Sequence, residues 1–148
     1  MGSYRQILYH LVISTRCRKY ALTEKNKAGL FKYMTGIVQH NQCHLYRING
    51  VNDHIHLLTD LHPTVPLADL IKDIKLASSQ WMKKSGQFSA FEGWAEGYGA
   101  FTYAYRDKEK IMNYINNQEV HHGKKTSREE FCDLLVEAGV DYKERFLP

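Results

Sequence analysis

Asn52-Asp53-His54-Ile55-His56-Leu57-Leu58-Thr59-Asp60 is the stretch from which the fold of this chain is read. Its centre alternates, with His54, His56 and Leu58 on one side and Ile55, Leu57 and Thr59 on the other. A period of two marks a β-strand, which sends residues i and i+2 to the same face. Ile55 then points into an apolar core, and two imidazoles stand side by side on the opposite face. Neutral imidazole nitrogen is the commonest protein ligand for divalent metals, so the pair is a candidate metal site. A triplet of this kind can also be inert packing, and its meaning depends on partners elsewhere in the chain.

On the N-terminal side, Leu45 to Val51 reads as a second strand, and Asn52-Asp53 supplies the tight turn of an antiparallel hairpin into the histidine strand. Earlier still, Tyr4 to Ile13 is rich in β-branched and aromatic residues and reads as the first strand. A basic loop follows, with Arg16, Arg18 and Lys19. Thr23 is the expected N-cap of a helix to about Gln42, because Leu30, Phe31, Met34, Ile37 and Val38 recur at helical spacing. After Pro63 and Pro66, a stripe of Leu67, Leu70, Ile71, Ile74, Ala77, Ser78 and Trp81 predicts a second helix ending near Gly86. Lys72, Lys75 and Lys83 line its other side, either as a solvated face or as phosphate contacts. A loop rich in glycine and aromatics (Phe88, Phe91, Trp94, Tyr98) leads to a fourth strand over 100–105. Asp107 opens a third helix through about His122, and Ser127-Arg128-Glu129-Glu130 reads as a capping box for a last helix to about Ala138.

The order β-α-β-β-α-β is that of an α+β, ferredoxin-like split βαβ sandwich. An antiparallel sheet of this kind carries helices on one face and leaves the other for a site, with the C-terminal helices appended. Residues 1–148 are expected to form one domain, with 123–148 as a helical extension. Composition is that of a globular protein, 43% hydrophobic and 24% charged. No apolar run approaches the roughly eighteen residues of a spanning helix, so no membrane partner is expected. Cys17, Cys43 and Cys132 are odd in number and widely spaced, which fits reduced thiols and argues against a disulfide framework or a zinc ribbon. With no charged-then-apolar leader ahead of the first strand, the expected compartment is the cytoplasm. The net charge of +4 permits a polyanionic partner without requiring one.

Within the third helix, Tyr114 and Gln118 are four residues apart and share a face, and His121 lies close to the same line. A glutamine on a core-facing stripe needs its amide satisfied. Together, His54-Ile55-His56 and Tyr114-x-x-x-Gln118 resemble the single-tyrosine HUH transposases, the small single-strand transposases of bacterial insertion sequences and REP-associated elements. The resemblance extends to Tyr9-His10, to Asp53 before the histidines and Leu57-Leu58 after them. It continues through Trp94 with Gly97-Tyr98-Gly99-Ala100-Phe101, and through Asn117-Gln118-Glu119 with His121-His122. It spans about Tyr4 to His122, and the segment from Gly123 onward resembles the C-terminal extension of REP-associated members.

The resemblance implies that His54, His56 and Gln118 hold a divalent metal, Mg²⁺ or Mn²⁺, and that Tyr114 is the nucleophile. Its product would be a 5′-phosphotyrosine with a free 3′-hydroxyl, which a second 3′-hydroxyl can reverse without ATP. It further implies a homodimer and a single-stranded DNA partner carrying hairpins. Arg16, Arg18, Lys19, Lys72, Lys75, Lys83 and His121 are the candidate DNA contacts, with aromatics near Trp94 and Tyr98 available for stacking. Two other classes stay open: a nucleic-acid-binding module on the same sandwich without chemistry, and a His-metal hydrolase that needs only His54 and His56. Neither requires the Tyr114–Gln118 pair.

Overall fold

A computed structural model describes residues 2–148. Its elements are β1 (Tyr9–Ser14), α1 (Lys27–His40), β2 (Leu45–Val51), β3 (His54–Thr59), α2 (Leu67–Ser85), β4 (Gly99–Thr102), α3 (Lys108–Asn116), α4 (Gln118–His122) and α5 (Ser127–Glu137). The sheet order is β2-β3-β1-β4, antiparallel throughout, which is the order of the split βαβ sandwich. The histidine strand β3 therefore lies inside the sheet, paired on both edges, and every one of its six residues is buried. An interior strand cannot fray, so its two imidazoles are carried on the most rigid backbone available.

The pleat sorts the sheet into two faces. Leu11, Ile13, Ile55 and Leu57 pack against Leu30, Met34 and Val38 of α1 and Leu70 and Ile74 of α2. Each such side chain, removed from water, contributes about 1.5–3 kcal/mol. Gly86, at φ +70°, closes α2 in the left-handed conformation that helix C-termini favour. His10, Val12 and Ser14 of β1 and His54, His56 and Leu58 of β3 share the opposite face, with Val12 opposite His56 and Ser14 opposite His54.

That second face is not left open, as the sequence reading expected. Leu58 packs with Ile111 and Ile115 of α3, and Val12 packs with Phe131, Leu134 and Leu135 of α5. The C-terminal helices thus roof the histidines. Among the described residues, no helix is long and apolar enough to cross a membrane, and all three cysteines are free.

Several boundaries differ from expectation for local reasons. β1 begins at Tyr9 rather than Tyr4, because its ladder with β3 and with β4 starts only there. β4 stops at Thr102, where its pairing with β1 ends, and Tyr105 enters a 3₁₀ turn instead. Thr23 and Asn26 do bond reciprocally, each side chain to the other's backbone N–H, at 3.2 and 2.7 Å. The regular helix nevertheless begins after them, at Lys27. The expected helix over 107–122 is broken at Asn117 (φ −97°, ψ 27°) into α3 and α4. The capping box is shifted by one residue: Thr126 accepts from the backbone N–H of Glu129 at 3.2 Å. With Glu129 tied to the cap, Glu130 is left free of it and lies buried beside Phe131 and Leu134.

Candidate metal and tyrosine site

Each histidine of β3 has one ring nitrogen tied to the sheet, which aims the other into the space under the roof. His54 Nδ1 lies 2.8 Å from Asp53 Oδ1. The second oxygen of Asp53 accepts from Ser127 Oγ at 2.7 Å, and Arg18 donates to the same hydroxyl at 2.8 Å. His56 Nδ1 lies 2.7 Å from Nε2 of His10, one register step along on β1. Both histidines therefore present Nε2 inward, and such outer partners set which nitrogen is free to ligate.

The helices of the roof bring the remaining groups to those nitrogens. Gln118, fully buried at the start of α4, places Oε1 3.3 Å from His54 Nε2 and 3.3 Å from His122 Nε2. Glu130 on α5 places Oε1 3.0 Å from His56 Nε2 and 3.2 Å from His54 Nε2. Its other oxygen accepts a 2.6 Å hydrogen bond from the Tyr114 hydroxyl. His121 stacks on the Tyr114 ring at 4.6 Å between centroids. The break at Asn117 does not separate Tyr114 from Gln118, since Gln118 Nε2 still reaches the Tyr114 carbonyl at 3.5 Å. All of these groups come from one chain.

Burial and charge pull the titrations apart. Burial disfavours charge on His54, but hydrogen bonds to Asp53 and Glu130 outweigh it and raise its pKa to about 9. Complete burial pushes His56 down to about 4, against the raising effect of its bond to Glu130 and with the charge on His54 adding to the fall. Burial lowers His10 as well. Burial opposes charge on Glu130, yet hydrogen bonds with His122, His54 and His56 hold its carboxyl well below the usual carboxylate range. Burial, then the bond to Glu130, raises the Tyr114 phenol above its ordinary value. In this arrangement the tyrosine is held protonated against an ionised carboxylate.

The donor set suits a divalent metal. Ligand atoms of His54, His122 and Glu130 lie within 4.8 Å of one another, and His56 Nε2 and Gln118 Oε1 border the same space. Imidazole nitrogen with carboxylate and carboxamide oxygen is a mixed set that first-row divalent ions accept. Glu130 was missed from sequence, and His122 was named there only within the His121-His122 pair of the resemblance, not as a ligand. The available signal was Glu130 itself, an acid one turn before Leu134 and beside Phe131 on the apolar side of α5, a costly position unless paired.

The expected DNA contacts divide. Arg18, whose backbone and that of Cys17 adopt positive φ (53° and 55°), turns toward α5 and is committed to Ser127 and the Pro148 carbonyl. Arg16 and Lys19 are exposed in the same loop, Lys19 paired with Glu92 at 2.6 Å. Lys72, Lys75 and Lys83 ride on α2, behind the sheet from the histidines. Lys75 is tied to the carbonyls of Ala95 and Gly97 at 2.9 and 2.7 Å. Trp94 is buried and donates to Ser78 Oγ at 3.0 Å, so it is a core anchor and not a stacking platform. His121 faces the tyrosine ring and not the ligand atoms. Lys124 and Lys125 were not singled out in sequence. They line both a groove of about 930 Å³ beside His122 and Asp53 and a cavity of about 260 Å³ that reaches Tyr114 and Glu130.

Comparison with known proteins finds relatives of this fold. The family described as "Transposase IS200 like" matches residues 3–118. The ISDra2 transposase TnpA of Deinococcus radiodurans is 25% identical over 122 residues, covering 79% of this chain and 87% of that protein. A crystal structure of a Deinococcus radiodurans R1 protein assigned as a transposase superposes with a TM-score of 0.63 at 25% identity, over 80% of this chain and 95% of that one. A REP-associated tyrosine transposase solved bound to a REP hairpin has the same fold, with a TM-score of 0.62 at 15% identity over 83% and 75% of the two chains. The match over 116 of 148 residues, counted from 3 to 118, places the strands, Tyr114 and Gln118 inside the family region and Glu130 beyond it; this chain belongs to the IS200-like transposases.

Proposed function

We propose that this chain is a metal-dependent endonuclease and strand-transferase for single-stranded DNA, cleaving and rejoining through a 5′-phosphotyrosine on Tyr114. The observation that carries the reading is the sharing of one buried carboxylate: Glu130 contacts both histidine Nε2 atoms through one oxygen and the Tyr114 hydroxyl through the other. A nucleophile and a metal-ligand pair are thereby set against the same point in space, which neither a binding module nor a simple hydrolase needs.

His54 and His56 would hold the ion through Nε2 and Gln118 through Oε1, with Glu130 and His122 within reach. Bound Mg²⁺ or Mn²⁺ supplies a Lewis acid at the scissile phosphate. Tyr114 forms the new O–P bond as the P–O3′ bond breaks; Glu130 is placed to take the phenol proton, and the departing 3′-oxygen is protonated from water. A later 3′-hydroxyl reverses these bonds and frees the tyrosine. Lys124 lines the cavity over Tyr114 and is suited to hold a phosphate flanking the scissile one, with Lys125 beside it paired to Asp133. Hairpin-forming DNA is the proposed substrate, supported by the fold shared with a relative solved on a REP hairpin. The assembly proposed is a homodimer in which each chain carries its own complete site, tested by sedimentation at micromolar concentration.

The deciding experiment is covalent trapping. Labelled single-stranded DNA with candidate hairpin ends is incubated with Mg²⁺ or Mn²⁺ and resolved on a denaturing gel. A labelled protein band is expected for wild type and is expected to vanish in Tyr114→Phe, in His56→Ala and in EDTA. A band that persists in Tyr114→Phe refutes the choice of nucleophile; DNA binding without any adduct, on DNA from the native locus, favours the binding module.

A further inference from the structure

At the end of the sheet away from His54, a cavity of about 490 Å³ is bordered by Tyr4, Arg5, Tyr46, Asp60, Leu61 and Tyr105. It stands apart from the metal site. Asp60 comes just after β3, roughly 14 Å beyond His56 at a strand's rise per residue. Lys108 opens α3, roughly 9 Å of helix before Tyr114.

Tyr105 is 62% exposed and Tyr4 98% exposed, so the core does not hold either ring. One exposed aromatic is ordinary, but these two share an opening with the half-buried Tyr46 and with free positive charge. Lys108 Nζ stands over the Tyr105 and Tyr46 rings, 4.6 and 5.3 Å from their centroids, and donates to the Tyr105 hydroxyl at 3.3 Å. Among the described residues, neither Lys108 nor Arg5 is in an ion pair. Ring faces beside unpaired cations suit an unpaired nucleotide, whose base stacks and whose phosphate seeks the charge. The carboxylate of Asp60 on the same wall would repel an acidic peptide.

Asp60 is held firmly. Its Oδ1 accepts from the His44 N–H at 2.6 Å, and its own N–H donates to the His44 carbonyl at 3.1 Å. Its Oδ2 has no protein partner among the described residues. A carboxylate can only accept, so it matches the N4 amine of cytosine. Thymine sets its one N3–H between two carbonyl oxygens, which the same carboxylate repels.

We propose that this cavity is a base-reading subsite for an unpaired nucleotide outside the metal site, with Tyr105 as its stacking platform and Asp60 selecting cytosine over thymine. The inference rests on the proposed action on single-stranded DNA.

The test is fluorescence anisotropy in EDTA at low salt, with labelled DNA hairpins whose unpaired tails are uniformly deoxycytidine or uniformly thymidine. The two pyrimidines stack alike, so their difference isolates Asp60. Wild type should bind the cytidine-tailed hairpin at least about fivefold more tightly. Asp60→Asn, whose amide can donate to the thymine O4, should abolish or reverse that preference. Tyr105→Ala should weaken binding of the cytidine-tailed hairpin about 5- to 100-fold, and Tyr105→Phe should stay within about threefold of wild type. Tyr105 is exposed, so its variants should fold. Equal affinity of wild type for the two tails overturns the proposal and leaves the action on DNA standing. A preference that persists in Asp60→Asn, or Tyr105→Ala binding like wild type, overturns it as well. Wild type binding neither hairpin would refute the reading of the protein as acting on DNA, and the subsite with it.

Discussion

Replacing Glu130 with glutamine keeps the shape of the side chain and removes its charge, which isolates what the carboxylate does beside His54. The His54 pKa rises from 6.5 to about 9 in the folded chain. At 1.36 kcal/mol per pH unit, that rise is worth about 3 kcal/mol of folding free energy. Asp53 and Glu130 both hydrogen-bond the ring, so Glu130 carries a part of it, about 1–2 kcal/mol. A folded-state pKa raised above the unfolded value gives stability that is complete below pH 6.5 and is lost as pH climbs through about 9. Urea unfolding in EDTA should therefore find Glu130→Gln less stable than wild type by about 1–2 kcal/mol near pH 6, or roughly 3–7 °C in Tm. Near pH 9.5, where His54 is neutral in both proteins, the difference should shrink to roughly what the altered hydrogen bond to Tyr114 costs. An equal deficit at both pH values would show that Glu130 acts through packing, and no deficit at either would show that His54 is not charged. The same variant should bind Mn²⁺ more weakly and cleave more slowly than wild type. Faster cleavage would mean that the carboxylate obstructs the site.

Two further outcomes follow from the same geometry. Because His54 must shed its proton to ligate, Mn²⁺ affinity should rise about tenfold per pH unit from about pH 6.5 to about 8.5, with one proton released. His56, held near 4, adds nothing in that range. Calorimetry in buffers of different ionisation enthalpy counts the proton, and a pH-independent affinity would refute the charge assigned to His54. Gly50→Ala should cost about 1–3 kcal/mol, because a Cβ there would stand 2.4 Å from the His54 carbonyl oxygen and 3.1 Å from Ile55 Cα. Thermal unfolding measures the loss. Since the clash falls at the first residue of the histidine strand, Mn²⁺ affinity should drop with it, and an unchanged Tm would contradict the closeness of β2 and β3.

The parts of this protein that repeat along the chain were legible in its sequence. Alternation marked β3 and placed Ile55 and Leu57 on the opposite face from His54 and His56, because a strand's two faces are decided by parity alone. Helical spacing marked α1 and α2 for the same reason, and the β-α-β-β-α-β order left few ways to arrange the sheet. Tyr114 and Gln118 could be paired because four residues make about one helical turn, a relation that survived even the break at Asn117. What no local pattern could decide was which distant groups would meet those residues. Thr126 rather than Ser127 caps α5, which keeps Glu130 out of the cap, and only the packing of α5 over the sheet brings Glu130 against His54, His56 and Tyr114. His10 meets His56 only through the β1–β3 register, and Lys124 and Lys125 border the tyrosine cavity only because α5 folds back over the sheet. Hydrogen bonds and ion pairs are settled within tenths of an ångström between residues dozens of positions apart, so they belong to the tertiary structure, whereas the periodicities that build its elements are written residue by residue.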